Sequence, residues 1–477
     1  MVRTTTITWR GARFAFQAGL LAATAIATFA LSRAATAIEP AMLAAGDSKA
    51  APSMDELFKE AKAKLPEATK PMIVAGEKGG PGLAIKTRKA LTVPLQGEQY
   101  IDNAVVIVKD GKIEAIGPAR TTPIPAWYEV VDVGDQWIMP GMIDLHSHVG
   151  GTFDINEMVY LTNPGLRVSS SVIPHNDALK TTVASGVTTI LFIPGSGVNV
   201  GGQGILFKIG LDHFEDALVR DPGSMKLAQA GNPESWTVGI GRSFMNWNTH
   251  AMFERGMLYA QLWENFEKGK GPRPERNFDL DIFRALLSKK TQISTHTQIY
   301  QVVMTTLTMV RKEFGIDVYI DHGEMAGYKL AGFAKELGVN AIIGPRVIEV
   351  PTRQFINWTG SNPEAILGIA AEYQKRGMTM IGFNTDAPVI PPEELFLQAG
   401  MAARYGFEYA NLETVRGLTI VPAVTAGIAN RVGSLEVGKD ADIVVMTGDP
   451  ADARSHVEKV LINGKHVYDT SKDRRRF

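Results

Sequence analysis

The order of apolar and polar positions divides the chain into a long α/β centre and two β-rich ends. The segments predicted to be strands at the two ends are residues 82–86, 104–108, 113–116, 441–446 and 460–462. Asp110-Gly111 and Asn463-Gly464 are hairpin turn signals within these ends. Because both ends have the same pattern, we expect them to pair in a single small sheet domain.

The centre of the chain contains eight apolar runs, most of which are followed by a stretch of helix length. The runs are residues 142–148, 187–193, 204–209, 224–229, 292–296, 318–322, 340–343 and 378–383. This alternation predicts a (β/α)₈ barrel of the TIM type. The second and third connections are too short for a full helix. After the fourth run, residues 252–268 and 280–289 are predicted to form a pair of helices.

The N-terminal residues have the layout of a secretory signal peptide. Three arginines precede an apolar run, Phe14–Leu31, which ends in the small residues of an A-x-A site, Ala35-Thr36-Ala37. The mature protein is therefore expected in the periplasm or outside the cell, and an uncleaved membrane anchor is the alternative. No later segment has 18 uninterrupted apolar residues, so stable membrane insertion is not expected after signal removal.

These patterns together predict the domain organisation. The chain is expected to be α/β, with a TIM barrel and a small β-sandwich-like domain built from both chain ends. The predicted divisions are a signal peptide at 1–37, a linker with a short helix at 38–72, a composite β domain at 73–139 and 428–470, and a hydrolase barrel at 140–427.

Composition narrows the chemistry and the partners. The 49 basic and 50 acidic residues leave a net charge of −1, so no nucleic-acid partner is expected. The absence of cysteine excludes disulfides, thiolate metal ligands and a cysteine nucleophile. Any metal ion must therefore be held by histidine, carboxylate or a modified lysine.

Histidines and one aspartate stand where predicted barrel strands end. The first run ends in His146-Ser147-His148, and residues two apart on a strand point to the same side. His296 and His322 close two further runs, and Asp386 follows the eighth. Barrel enzymes place their catalytic groups at the C-terminal ends of different strands. The pattern predicts a metal site at the mouth of the barrel, for which imidazole suits Zn, Fe, Cu and Ni.

Two motifs resemble those of the amidohydrolase superfamily. Pro140–His148 is similar to its first-strand metal motif, and Gly433–Val444 to its C-terminal signature. The resemblance extends over nearly the whole mature chain. Segments 187–189, 194–197 and 201–204 resemble secreted members related to imidazolonepropionase and to the Xaa-Pro and Xaa-Arg dipeptidases.

The resemblance implies a role for each ligand. His146 and His148 would bind the more buried ion, whereas His296 and His322 would bind a second, more exposed one. Asp386 would bind the first ion and accept the proton of the attacking water. One or two divalent ions are expected, with zinc as the first choice.

Many binuclear members also use a carboxylated lysine to bridge the two ions, and Lys226 is the best match here. A lysine inside an apolar strand is costly unless it is paired or modified. The alternative is a lysine that reaches the surface, in which case the site is mononuclear.

Three further residues are weaker candidates for binding substrate, and each has an ordinary structural role as its alternative. Glu324 follows His322 by two residues, and Tyr300 and Arg242 carry groups that bind carbonyls or carboxylates.

The predicted activity is hydrolysis of an amide- or peptide-type C–N bond in a small substrate, such as a dipeptide or an N-acyl amino acid, by metal-activated water. The alternatives are cyclic amide, imidazolone or lactone hydrolysis and deamination. A non-catalytic, amidohydrolase-like binding protein is the alternative from another class. The expected partner is a small-molecule or peptide substrate, and a homo-oligomer is left open.

Overall fold

A computed structural model describes residues 82–151, 156–174, 176–236 and 240–477. These residues belong to one compact unit, Glu77–Phe477. The predicted signal peptide (1–37), the linker with its short helix (38–72) and the first residues of the predicted β domain lie outside the described residues. Among the helices that are described, none combines the length and the apolar character needed to cross a bilayer.

The strands are numbered in chain order over the described residues. They are β1 (Leu83–Leu91), β2 (Tyr100–Lys109), β3 (Lys112–Pro118), β4 (Glu129–Asp132), β5 (Trp137–Pro140), β6 (Met142–Ser147), β7 (Val187–Phe192), β8 (Val200–Lys208), β9 (Leu218–Ala228), β10 (Ile293–His296), β11 (Ile320–His322), β12 (Ala341–Ile343), β13 (Ile348–Glu349), β14 (Leu367–Gly368), β15 (Ile381–Phe383), β16 (Ile443–Met446), β17 (Val457–Ile462) and β18 (Lys465–Asp469).

One eight-stranded sheet combines strands from both parts of the described chain. Its order is β18-β17-β16-β5-β1-β2-β3, and β4 pairs with β1. The two parts meet where β16 runs antiparallel to β5, with Ile443 opposite Pro140. A sandwich-like arrangement of this domain and its exact boundaries stay predictions.

Eight further strands form a TIM-barrel-like ring. Five lie in the order β10-β9-β8-β7-β6 and three in the order β11-β12-β15. Parallel bridges between Ile293 and Val318 and between Thr297 and His322 join β10 to β11. A parallel bridge between Ser147 and the segment after β15 completes the ring. The C-terminal ends of β6, β10, β11 and β15 therefore face the same mouth.

The expected all-parallel barrel is wrong at one strand, because β8 runs antiparallel to both β7 and β9. Only residues 193–199 separate β7 from β8, and residues 209–217 separate β8 from β9. A parallel crossover needs about a dozen residues or more. The two short connections noted in the sequence therefore form hairpin-like links, and the sheet is mixed.

The helices cover the ring and fill the connections between strands. Their bounds are Asp177–Ala184, Phe214–Ala217, Asn232–Trp236, Arg242–Glu267, Asp281–Leu287, Tyr300–Thr305, Ala331–Glu336, Arg353–Thr359, Ile369–Lys375, Leu395–Arg404, Glu413–Leu418 and Ile420–Thr425. A π-helix, Thr306–Glu313, and 3₁₀ turns at Val168–Ser171, Gly327–Leu330 and Pro392–Glu394 complete the set.

The predicted helix 252–268 begins earlier than expected, at Arg242. Its first ten residues are mixed in polarity, but Met245 and Thr249 are buried, so tertiary packing extends the helix beyond its clear apolar pattern.

A buried ion cluster connects the ring to the terminal sheet. Lys208, on β8, places its Nζ 2.8 Å from Asp440 and 2.9 Å from Asp442. Arg431 and Lys112 also pair with Asp440. Both aspartates belong to the C-terminal signature recognised in the sequence. A buried lysine is stable only when it is paired, so this signature supplies the counter-charge for a barrel strand.

Candidate metal centre

Two histidines at the end of β6 share one carboxylate. The Nε2 atoms of His146 and His148 lie 3.2 Å apart. Asp386 Oδ1 lies 3.2 Å from each of them. The three side chains are buried and their ligand atoms lie within 4.8 Å of one another. The predicted first-ion ligands therefore converge, although residues 146 and 386 are far apart in the chain.

The other two predicted histidines form a neighbouring pair. His322 Nε2 lies 3.0 Å from His296 Nδ1. The ring of His322 also approaches that of His146, with 4.5 Å between centroids. The two pairs therefore adjoin at the mouth of the ring. Their assignment to two separate ions stays a prediction.

Hydrogen bonds to the Nδ1 atoms fix which nitrogen of each imidazole is protonated. His148 Nδ1 lies 2.9 Å from the carbonyl oxygen of Ile193, and His322 Nδ1 lies 2.6 Å from that of Gly344. A carbonyl oxygen only accepts, so Nδ1 carries the proton in both rings. Each Nε2 then presents a lone pair to the site, which is how metal-binding imidazoles are normally oriented.

Burial keeps the four imidazoles neutral. It lowers the pKa of His146 to about 4, and the nearby charge of Lys226 acts in the same direction. Burial also lowers the pKa of His322 to about 4. The pKa values of His148 and His296 are lowered for the same reason. Neutral imidazole is the form that binds metal ions.

Lys226 points into this cluster from β9. Its side chain is fully buried and its Nζ lies 3.0 Å from His146 Nε2. Burial lowers the pKa of this amine to about 8, against the raising effect of Asp321 and Asp386. The surface-lysine alternative is wrong, because the side chain ends among the predicted ligands. Carboxylation of Lys226 stays a prediction.

The donor set fits a divalent cation. Lone pairs of two imidazoles facing each other at 3.2 Å repel unless a cation or proton lies between them. His296 Nε2 is buried and has no hydrogen-bond partner. Imidazole and carboxylate ligands together suit zinc and related divalent ions.

Two of the predicted ligands have strained backbone conformations. His322 has φ of 71° and Asp386 has φ of 49°. Positive φ is uncommon in residues other than glycine, and such strain concentrates at functional sites. Gly344, whose carbonyl holds His322, has φ of 146°, and a Cβ there would lie 2.2 Å from the Asn384 carbonyl oxygen. Only glycine allows this close approach.

Sequence reasoning missed the buried acids behind the histidines. Asp321 Oδ2 lies 2.8 Å from His146 Nδ1, and Asn384 donates to its other oxygen. Asp144 accepts from the backbone N–H of His146. Burial raises the pKa of both acids to about 7. The available signal was an aspartate inside each apolar run, which is costly in a core unless it is bonded.

Glu324 is buried beside the site and is not a solvated loop residue. Its Oε1 accepts from the backbone N–H of Arg346 at 2.9 Å, whereas its Oε2 has no hydrogen-bond partner and lies 4.0 Å from the Arg346 guanidinium. Burial raises its pKa to about 8. Its role in binding substrate stays a prediction.

The remaining two candidates each make a structural contact. Tyr300 begins a helix and packs against the main apolar core. Arg242 Nε donates to Glu234 at 2.9 Å, and Glu234 accepts from the backbone N–H of Gly231, which lies beside His296. Their substrate roles stay predictions.

A cavity of about 540 Å³ borders two of the predicted ligands. Its walls include His148, Asp386 and Ser196, together with the carboxamides of Asn156 and Asn232. Ser196 Oγ also lies 3.0 Å from His296 Nδ1. The glycine-rich segment 201–204 lies within β8. The site can thus receive a small molecule next to the clustered ligands.

This barrel gathers histidines and an aspartate at the C-terminal ends of its strands, which is where barrel enzymes carry their active sites. The sequence profile of the Amidohydrolase family matches residues 208–468, more than half of the chain. The chain therefore belongs to the amidohydrolase family, and it is a hydrolase of carbon–nitrogen bonds.

Two individual relatives are similar to this chain at low sequence identity. An imidazolonepropionase of Sphingopyxis alaskensis is 24% identical over 380 residues, which are 74% of this chain and 88% of that protein. The amidohydrolase tasK of Hapsidospora irregularis is 23% identical over 78% of this chain, but the chain spans only 40% of its length.

A crystal structure of an amidohydrolase from Thermotoga maritima is similar to this fold. Its TM-score is 0.70 at 28% identity, covering 81% of this chain and all of that one. A Xaa-Pro dipeptidase crystallised with methionine in its active site has a TM-score of 0.51 at 15% identity, covering 81% of this chain and all of that one. The second likeness shows the fold alone.

Proposed function

We propose that this protein hydrolyses an amide-type C–N bond of a small substrate, using water activated by one or two divalent cations, with zinc preferred. The observation that carries the proposal is the convergence of two neutral histidines, His146 and His148, on Asp386 beside an open cavity. His146, His148 and Asp386 would hold one ion, and His296 and His322 a second. Carboxylated Lys226 would join the two.

The chemistry divides between the ion and the protein. When bound, the cation supplies Lewis acidity that lowers the pKa of water towards neutrality and polarises the scissile carbonyl. Asp386 accepts the proton of the attacking water and returns it to the leaving nitrogen. Its strained backbone, hydrogen-bond neighbours and burial hold that carboxylate at one position above the histidines.

The described cavity walls carry no cationic side chain that would pair with a substrate carboxylate. They offer carboxamides, the hydroxyl of Ser196 and the carboxylates of Asp177 and Asp386, and the described lining includes no lysine or arginine. A dipeptide or N-acyl amino acid would bring a carboxylate, for which Arg242 is the partner predicted from the sequence. A cyclic amide would bring none. The cavity therefore supports ring opening of a cyclic amide as a second candidate activity beside linear amide hydrolysis.

The test is a product assay with a defined metal content. Purified protein is analysed for bound metal and incubated with dipeptides, N-acyl amino acids, cyclic amides and lactones. Release of a free amine indicates linear amide hydrolysis, ring opening gives a single product, and ammonia indicates deamination. Protein without metal, and without turnover on any substrate after zinc is added, would contradict the proposal.

Asp386→Asn is the matched variant, because the amide keeps the shape but cannot accept the water's proton. We expect its kcat to fall by at least about 100-fold while the circular dichroism of the folded protein stays unchanged. Asn156→Asp serves as a cavity-wall control that should change substrate preference without abolishing turnover. Retained activity in Asp386→Asn would remove the residue from the acid–base role.

We also propose that the protein works in the periplasm or outside the cell. The support is the sequence of residues 1–37 alone. Mass spectrometry of the protein recovered from the periplasm should show an N-terminus at Ile38; an intact N-terminus in the cytoplasm would contradict export.

A further inference from the structure

A second cavity lies at the end of the ring opposite the candidate metal centre. It is bordered by the beginning of β9 and by residues that directly precede β10, β11 and β12, whereas the predicted metal ligands lie towards the C-terminal ends of the strands. Its volume is about 350 Å³, which is in the range of small-molecule pockets. We call it the lower cavity, and its described lining includes Arg220, Lys289, Gln292, Arg311 and Asp317.

The lower cavity carries more positive than negative charge. Three cationic side chains line it, and the described lining contains a single acid, Asp317. Arg311 Nη1 lies 2.5 Å from Asp317 Oδ1, and Lys289 Nζ lies 3.2 Å from the same oxygen. Two cations therefore share one carboxylate, and the third cation, Arg220, is not paired with it. Three cations against one acid leave an excess of two positive charges.

Arg220 is a partly buried cation that forms no ion pair with the described residues. Its Nη1 donates to the carbonyl of Ala426 at 2.7 Å and its Nη2 to that of Gly223 at 2.8 Å, but its buried Nε has no hydrogen-bond partner. Burial lowers the pKa of the guanidinium, and the phenol of Tyr319 acts against this. Burial raises the pKa of that phenol well above its usual value, so it carries no negative charge at neutral pH. A buried charge is normally paired, so Arg220 lacks a counter-charge.

Gln292 brings a second unpaired donor to the lower cavity. Its side chain is only 7% exposed, and its Nε2 has no hydrogen-bond partner. Its backbone is held in place, because its carbonyl accepts from the N–H of Met225 on β9. A buried amide N–H without an acceptor is unfavourable, and such groups usually bond to ordered water or a bound ion. Gln292 Nε2 and Arg220 Nε are therefore two donors at one cavity that both lack an acceptor.

Unpaired donors and excess positive charge together match an oxyanion. A guanidinium group binds the oxygens of phosphates and carboxylates, and an amide N–H adds a further hydrogen bond. An excess of two positive charges is balanced by the dianion of a phosphate group, whereas a single carboxylate balances half of it. The cavity volume also admits a phosphate group carried on a small molecule.

We propose that the lower cavity is a binding site for a phosphate dianion, either free inorganic phosphate or the phosphate group of a small metabolite. Arg220 and Gln292 donate to the phosphate oxygens, and Arg311 contributes through its charge. The site contains none of the predicted metal ligands, so phosphate binding there is independent of the proposed hydrolysis.

Isothermal titration calorimetry of the purified protein tests the ligand. Inorganic phosphate, glycerol phosphate and acetate are titrated at equal ionic strength in a buffer without other oxyanions. We expect one phosphate per chain with a Kd of at most about 1 mM, and binding of acetate that is at least about tenfold weaker. Tighter binding of glycerol phosphate than of inorganic phosphate would identify a phosphorylated molecule as the ligand. The reverse order would identify free phosphate.

Gln292→Leu is the first variant, because it removes the unpaired donor with little change in side-chain volume. It should weaken phosphate binding at least about tenfold. Gln261→Leu makes the same change at an exposed position of the helix Arg242–Glu267 and should bind phosphate like the wild type. Asp317→Asn removes the single acid of the described lining and should instead tighten phosphate binding by at least about threefold.

Arg220→Met removes the unpaired cation and should leave no binding detectable at about 10 mM phosphate. This change also removes two hydrogen bonds to backbone carbonyls, so its circular dichroism is compared with that of the wild type. If Arg220→Met does not fold, Gln292→Leu and Asp317→Asn still decide the question, because their effects on the Kd have opposite signs.

His146→Ala distinguishes the lower cavity from the candidate metal centre, where phosphate could bind to an ion. It should bind phosphate like the wild type. Loss of phosphate binding in His146→Ala, with binding retained in Arg220→Met, would place the phosphate at the metal centre and overturn the proposal. It would also be overturned if neither phosphate showed saturable binding, if acetate bound equally well, or if Gln292→Leu and Asp317→Asn both left the Kd unchanged.

Discussion

Single residues in the site are oriented by groups that sequence motifs do not contain. The carbonyl of Ile193 and that of Gly344 each fix one histidine with its Nε2 directed inward. The carboxylate of Asp321 does the same for His146. Such outer partners are normally needed for metal affinity. The orientation of each ligand therefore depends on a residue from another strand.

At the residue scale, the proposed bridging role of Lys226 can be tested by metal content. If its carboxylated form joins two ions, Lys226→Ala should lower the bound metal from two ions to one or fewer per chain, because one shared ligand is lost. Metal analysis after dialysis measures this directly. Lys289→Ala, which removes an exposed lysine paired with Asp317, is the control and should keep the full content. Unchanged two-ion occupancy in Lys226→Ala would eliminate the bridging role.

At the scale of elements, the strand β8 contacts both the candidate metal centre and the buried ion cluster that joins the ring to the terminal sheet. Its antiparallel course places Gly202 next to Lys226 on β9. Its far end carries Lys208 into the acidic cluster of the C-terminal signature. Shifting β8 by one residue would turn both sets of contacts to the wrong face.

We expect Lys208→Met to lower the free energy of unfolding by about 3–5 kcal/mol, because it leaves Asp440 and Asp442 buried without their shared cation. Lys86→Met removes another strand lysine paired with an aspartate, Asp132, but that pair is largely exposed. It should cost less than about 1 kcal/mol. Urea unfolding measures both free energies of unfolding. Equal losses in the two variants would show that the buried Lys208 cluster stabilises the fold no more than an exposed ion pair does.

A second element-scale prediction concerns Glu349 on β13. Its Oε1 accepts from the backbone N–H of Ala326, and burial raises its pKa to about 7. Since the folded pKa lies above the unfolded value, this stabilising contribution is complete below about pH 4.5 and is lost as the pH rises through 7. Glu349→Gln keeps the acceptor but cannot ionise.

The difference in unfolding free energy between Glu349→Gln and wild type should therefore grow in favour of the variant from pH 5 to pH 8, by at most about 3 kcal/mol. Urea unfolding at several pH values measures it. A difference that is constant over this range would show that Glu349 does not change its ionisation on folding.

For the whole molecule, the candidate ligands come from β6, β9, β10, β11 and the segment after β15. An ion bound there would join distant parts of the ring. Removing it with a chelator should lower the thermal midpoint, and adding zinc at 100 times its Kd should restore about 2.7 kcal/mol. Calorimetry measures the shift. His146→Ala should show little response to either treatment; an equal response would place the stabilising ion elsewhere.

The sequence predicted much of this architecture because its signals are local. An apolar run indicates a buried strand whatever the overall fold is. The side chains of His146 and His148 point to the same side because they are two residues apart on a strand. The eight barrel runs all correspond to strands in the ring. The direction of β8 was harder to predict, since it depends on how short connections close in three dimensions.

The sequence by itself determined the strand pattern, the family motifs and the residue types able to hold a cation, because these follow from neighbours along the chain. Only the tertiary structure decided that Asp321 supports His146, that Lys226 ends among the histidines, and that Glu324 is buried. These contacts join residues dozens to hundreds of positions apart. Their geometry depends on the closure of the ring, which no local pattern encodes.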